Sequence, residues 1–263
     1  MEWWQVALVV LAGTWAGIIN AIAGSGTLVT FPVLLAVGFA PVSATMTNAV
    51  GLSVGGLTGV LGYRRELAGQ GRRIALLLPA SLLGALGGAW LLLRLPEDLF
   101  ETVVPVLVVL ALVLVVLQPR LQRRLRDRTA ARGGAVSRGW PSRWAAALAV
   151  LGAGVVGVYG GYFTAAQGIM LLAVVGALVV EELQRLNALK NVLATGVNLV
   201  AAGTYAVVGG DRVDWRVAAI LAGSSLAGGW LGARFGRRLP APVLRGVIVV
   251  VGLAAVVVLV VRT

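Results

Sequence analysis

Apolar residues run almost unbroken from Trp3 to Tyr63, and these 61 positions contain no Asp, Glu, Lys or Arg. A membrane-spanning helix takes roughly 20 apolar residues, so the block holds about three segments, expected near 3–22, 27–38 and 41–63. Backbone chemistry sets the first break. Gly17, Gly24 and Gly26 loosen the chain, Asn20, Ser25, Thr27 and Thr30 place polar groups in it, and Pro32 removes a backbone donor. A second break falls between Gly38 and Pro41. The middle segment is short and reads as one arm of a hairpin turning within the bilayer. Irregular backbone at that depth is tolerated only where it packs in protein or lines a cavity. The run from Gly17 to Pro32 is therefore predicted to form half of a substrate site.

The same pattern continues. A charged turn from Tyr63 to Arg73 precedes apolar runs near 74–93 and 99–117, separated by RLPEDLFE, with Pro79 and Pro105 as expected kinks. Residues 119–143 carry eight arginines and one Asp and read as a solvated basic linker between a first repeat, 1–118, and a second, 144–263. Trp144 to Val180 is a 37-residue stretch without a charge, enough for nearly two segments. Further segments are expected near 186–208, 217–233 and 243–261.

The halves resemble each other. Gly17 pairs with Gly157, Thr47-Asn48 with Lys190-Asn191, Ser81 in SLLGALGG with Ser225 in SLAGGWLG, and Leu95-Pro96 with Leu239-Pro240, at offsets of 140, 143, 144 and 144. Four matches in order point to duplication, as in many transporters. Basic loops belong in the cytoplasm. With five segments per half, the loops at 63–73, 119–143 and 234–240 share one face, and the N-terminus lies outside. An odd count makes the repeats inverted. The fold expected is an all-α polytopic membrane protein, two inverted repeats of about five hydrophobic segments each, with broken or re-entrant hairpins.

Composition agrees. Only 12% of residues are charged, against roughly 25% in soluble domains, and the mean hydropathy is +0.94. Continuous apolar runs do not match the alternating segments of a β-barrel. Basic loops beside apolar spans account for the net charge of +12 without nucleic acid. The start MEWWQVALVV has no basic n-region, which is not the pattern of a cleaved signal peptide. Trp3 and Trp4 read as interfacial anchors.

There is no cysteine and no histidine, so a thiolate metal site and the usual proton shuttle are both excluded. No Walker A, HExxH or GxSxG motif occurs, and no enzyme activity, cofactor or metal is expected. All ten acidic residues fall in loops or at segment ends, which disfavours a cation site. Lys190 is the one charge well inside a segment. It is either a counter-charge for an anion or a side chain snorkelling to the interface from just past Glu181–Arg185.

Gly24-Ser25-Gly26-Thr27 before an apolar segment resembles the start of a half-helix, whose N–H groups and dipole attract an anion. Asn20 and the Thr47-Asn48 pair could complete the ring. The other reading is that small residues here only permit close helix packing. In the second half, Thr164 and Gln167 of GGYFTAAQG take the polar positions. The candidate site is thus asymmetric. Neutral donors come from Asn20, Gly24, Ser25, Gly26, Thr27, Thr47 and Asn48, and Thr164, Gln167, Lys190 and Asn191 come from the other half.

GxxNAIAGSGTLVTFPVLL, then PVSATMTNAVG, then a basic linker and a degenerate second copy, resembles the sulfite exporter TauE/SafE family of membrane transporters across essentially the whole chain. TAAQG stands where the family usually shows more glycines. The resemblance implies transport of small sulfur-containing anions, such as sulfite or organosulfonates, across a prokaryotic cytoplasmic membrane. Alternating access is the expected mode. An anion channel or a non-transporting membrane scaffold are the alternatives. The partners this reading admits are the anion, membrane lipids and a second copy of the chain.

Overall fold

The computed structural model describes residues 1–22, 24–131, 140–235, 246, 248–254 and 256. Nine α-helices occur among the regions with defined bounds: α1 (Trp3–Ile22), α2 (Thr27–Val37), α3 (Pro41–Gly62), α4 (Gly71–Arg94), α5 (Glu97–Ala131), α6 (Arg143–Tyr162), α7 (Gln167–Leu178), α8 (Leu183–Val208) and α9 (Trp215–Phe235). Residues 248–254 are also helical, and the described residues include no strand. The expected span at 243–261 otherwise lies outside the described residues, as do 132–139 of the basic segment.

Five of these helices, α1, α4, α5, α6 and α8, are long and apolar enough to cross a membrane. Helices α3 and α9 have 22 and 21 residues but are richer in Gly, Ser and Thr. By contrast α2 and α7 have only 11 and 12 residues. At ~1.5 Å per residue they reach about half of a hydrocarbon core ~30 Å thick. Both are half-helices. Helix α2 stops at Gly38, whose left-handed backbone (φ 107°) turns the chain toward Pro41 at the start of α3.

The outer surface of α1, α4, α5 and α6 is apolar. Leu11, Leu83, Val106, Val116, Leu148, Leu151 and Val155 are all exposed, as suits helices that face lipid. Trp3 and Trp144 stand exposed in the first turns of α1 and α6, the placement of interfacial anchors.

Inside, helices from the two halves pack in reciprocal pairs: α1 lies on α9, and α4 lies on α6. Their backbones nearly touch. A Cβ at Gly17 would stand 2.3 Å from the Ser225 carbonyl oxygen, and one at Gly157 would stand 2.3 Å from that of Ser81. Likewise Gly228 leaves room for only 2.0 Å to the Thr14 oxygen, and Gly84 for 2.1 Å to that of Gly154. Residues 17 and 157, and 81 and 225, are related by the offsets of 140 and 144 seen in the sequence, so the contacts exchange between the halves.

Helix α5 continues through Pro119 to Ala131, so the first part of the basic segment is helical. Leu125 is the reason it does not drift off. It is buried against Gly176 of α7, where an added Cβ would lie 2.7 Å from Leu125 Cδ2. Helix α4 begins at Gly71, earlier than the charges of Arg72 and Arg73 suggest. Arg73 is buried, and its Nη1 donates to Glu181 Oε2 at 2.6 Å. Arg185 Nε donates to the other oxygen at 3.0 Å, and Thr129 Oγ1 donates to the Glu181 carbonyl at 3.1 Å. Glu181 therefore ties α4, α5 and α8 together on the basic face. Breaking a buried pair by removing one partner typically costs about 3–5 kcal/mol. Glu181→Gln is expected to lower the melting temperature in detergent by several degrees, and an unchanged melting curve would count against this tie.

Candidate functional site

The turns that precede α2 and α7 meet. Gly24 has φ 79°, a conformation open to glycine at little cost. A Cβ on Gly24 would lie 2.9 Å from the Gly168 Cα, and one on Gly168 would lie 2.9 Å from the Gly24 Cα. The second turn reaches its shape without glycine: Thr164 and Ala166 hold φ 73° and 58°. Phe163 of that turn packs edge-on against Phe31 of α2 at 5.3 Å between ring centroids. Tyr205 of α8 donates its hydroxyl hydrogen bond to the Gly161 carbonyl. The Phe31–Phe163 contact thus links the two half-helix regions, while Tyr205 fixes the end of α6 to α8.

A cavity of about 30 Å³ opens beside this junction. It is lined by Asn20, Gly24 and Thr27 from the first turn and Thr164 and Gln167 from the second. Lys190, Asn191, Thr195 and Asn198 of α8 complete the polar wall, opposite Gly55, Gly56 and Gly59 of α3. Those glycines let the helices close in. A Cβ on Gly56 would stand 2.6 Å from Thr195 Oγ1, and one on Gly59 would stand 3.6 Å from Asn191 Nδ2.

Lys190 does not snorkel. It is only 2% exposed, and its Nζ would lie 3.5 Å from a Cβ on Gly24. Among the described residues the ion pairs are Arg73–Glu181, Arg185–Glu181 and Arg212–Glu97. Lys190 Nζ has no hydrogen-bond partner, and neither has the neighbouring Asn191 Nδ2. Burying an uncompensated charge is costly. Two buried donors without protein acceptors thus stand at one small cavity.

Around these donors several other side chains are engaged. Asn20 Oδ1 accepts from the Gly26 N–H at 2.7 Å, which closes the first turn. Gln167 Nε2 donates to Asn198 Oδ1 at 2.6 Å and leaves its own Oε1 without a partner. Of the residues singled out in the sequence, Asn20, Gly24, Thr27, Thr164, Gln167, Lys190 and Asn191 line the cavity. Ser25, Gly26, Thr47 and Asn48 do not line it, for local reasons. Gly26 is spent on Asn20. Asn48 donates to Thr27 Oγ1 at 3.3 Å and accepts from Thr30 Oγ1, bracing α2 from α3. Thr47 Oγ1 faces away and accepts from the Asp214 N–H at 3.1 Å. Ser25 Oγ is buried with no partner.

Thr195 and Asn198 were missed, although a signal was present. Asn191, Thr195 and Asn198 fall at i, i+4 and i+7 within the otherwise apolar stretch 191–203, a polar stripe on one face.

Comparison with known proteins points to membrane transport. The family described as sulfite exporter TauE/SafE matches residues 9–259. A probable membrane transporter protein, YfcA, of Escherichia coli K12 is 28% identical over 228 residues, covering 85% of this chain and 76% of the relative. A probable membrane transporter protein of Haemophilus influenzae is 27% identical, covering 87% and 84%. Another, from Sinorhizobium sp., is 25% identical, covering 95% and 90%. No solved structure matches the chain at a significant level. The apolar helices and these relatives make the protein a multi-pass membrane transporter and place it in no enzyme class. With a match over nearly its whole length, the chain belongs to the sulfite exporter TauE/SafE family.

Proposed function

We propose that the protein carries a small sulfur oxyanion or sulfonate through the cavity between the two half-helix turns, by alternating access. The observation that carries this reading is the buried, unpaired ammonium of Lys190 beside the unpaired amide of Asn191. An anion entering the cavity gives up water and gains these two donors, with the hydroxyls of Thr27, Thr164 and Thr195 within the same lining. Charge-assisted hydrogen bonds are roughly twice as strong as neutral ones, so Lys190 is the main source of anion preference. No carboxylate lines the cavity to recruit a cation. The family name supports sulfite-like cargo over other anions.

We further read 1–118 and 144–263 as inverted repeats joined by the basic segment 119–143. The reciprocal glycine contacts support duplication, and the basic loops support a cytoplasmic segment 119–143 with the N-terminus outside. In such transporters the site lies near the bilayer midplane at discontinuous helices, which α2 and α7 would supply.

Reconstitution into proteoliposomes tests the function. Labelled sulfite is expected to enter with saturable kinetics, with competition by organosulfonates or thiosulfate and less by short carboxylates. Flux that never saturates would mark a channel. Equal competition by carboxylates would remove sulfur chemistry from the assignment.

A further inference from the structure

A second cationic cavity lies apart from the transport site, between the starts of α4 and α6. This groove of about 650 Å³ is lined by Arg72, Trp140, Ser142 and Arg143 on its polar side and by Ala75, Leu76 and Ala146 on its apolar side. Arg72 and Arg143 are exposed and take part in none of the ion pairs of the described residues. Arg73 at its back is already engaged with Glu181. The Trp140 ring packs against the apolar cluster beside the groove. Ser142 caps α6 by accepting from the Ala145 N–H at 3.0 Å, so the positive end of that helix dipole also faces the groove.

We propose that this groove is a binding site for an anionic glycerophospholipid, such as phosphatidylglycerol. The phosphate sits between the Arg72 and Arg143 guanidiniums. Its acyl chains leave over Leu76, which is 40% exposed, toward the exposed apolar face formed by Leu83 of α4 and Leu148 and Leu151 of α6. A soluble phosphate compound would satisfy the cations but not cover that apolar exit. The groove's position also suits a lipid. Arg72 and Arg143 stand at the first turns of α4 and α6, beside loops that the charge pattern assigns to the cytoplasmic leaflet, where anionic headgroups concentrate near basic residues. A lipid there would bear on α4 and α6, one of the two reciprocal helix pairs.

The test uses the purified full chain in neutral detergent, titrated with phosphatidylglycerol and followed by thermal unfolding and native mass spectrometry. Phosphatidylglycerol is expected to raise the melting temperature and to remain bound where phosphatidylethanolamine is lost. The pair Arg72→Gln/Arg143→Gln should weaken it by about tenfold or more, the scale of losing charge-assisted bonds. Arg120→Gln/Arg123→Gln makes the same charge change elsewhere and should leave it intact. Equal binding by wild type and the Arg72/Arg143 variant overturns the proposal. So does an equal effect of phosphatidylethanolamine, or of glycerol phosphate acting as a soluble ligand.

Discussion

Lys190→Met is expected to abolish saturable anion flux while the substrate-free protein melts at a higher temperature than wild type. Both directions follow from one fact: the ammonium is buried without a carboxylate or hydrogen-bond partner. Methionine keeps most of the side chain's length and removes a desolvated charge, whose effective penalty in proteins is several kcal/mol. Substrate binding loses the charge-assisted bonds, worth about 1.5–3 kcal/mol each, which is roughly a 10- to 150-fold drop in affinity. A residue with a purely structural role would move stability the other way. Wild-type flux and an unchanged KM in Lys190→Met would remove the cavity from the transport route. Lys190→Arg is expected to rescue poorly. A Cβ on Gly168 would already lie 3.2 Å from Lys190 Cδ, so the bulkier guanidinium has little space.

The second large effect is at the junction of the turns. Gly168→Ala sets two terms against each other. Position 168 lies in the first turn of α7, where alanine favours helix by at most about 1 kcal/mol over glycine. The new methyl, however, would stand 2.9 Å from the Gly24 Cα, a backbone atom that cannot swing aside. Overpacking of this kind costs about 1–3 kcal/mol, so the protein should be destabilised on balance. Transport should fall further than stability, because parting the turns displaces Lys190. Gly24→Ala adds the strain of a left-handed backbone, about 1–2 kcal/mol, and is expected to be the worse of the two. Thermal unfolding beside proteoliposome flux checks both. A stabilised, fully active Gly168→Ala would mean the turns do not touch in the working protein.

Most helix limits could be read from where glycine and proline interrupt apolar runs, because those residues act locally. The expected segment 27–38 is the helix Thr27–Val37, and 41–63 is Pro41–Gly62. Trp144 to Val180 was harder. Its break depends on Thr164 and Ala166 adopting left-handed backbone, which no residue type there announces and only tertiary packing enforces. Charge misled at Arg73, which reads as loop yet is buried because Glu181, 108 residues away, neutralises it. At the site, Lys190 and Asn191 stood out as polar residues in an apolar segment. Asn48 stood out for the same reason but braces Thr27 and Thr30 instead. Composition marks which side chains need partners; it does not say whether the partner is the protein or the cargo.

The glycine contacts between α1 and α9, and between α4 and α6, have a mechanical consequence. Backbone pressed on backbone leaves no side-chain slack, so neither pair can shear without steric collision. Each pair joins one helix from each half of the chain. The most closely packed helices are therefore mixed pairs, not the halves laid out in its sequence. In the alternating access proposed above, the movement that exposes Lys190 to one side of the membrane is expected to pivot between those pairs.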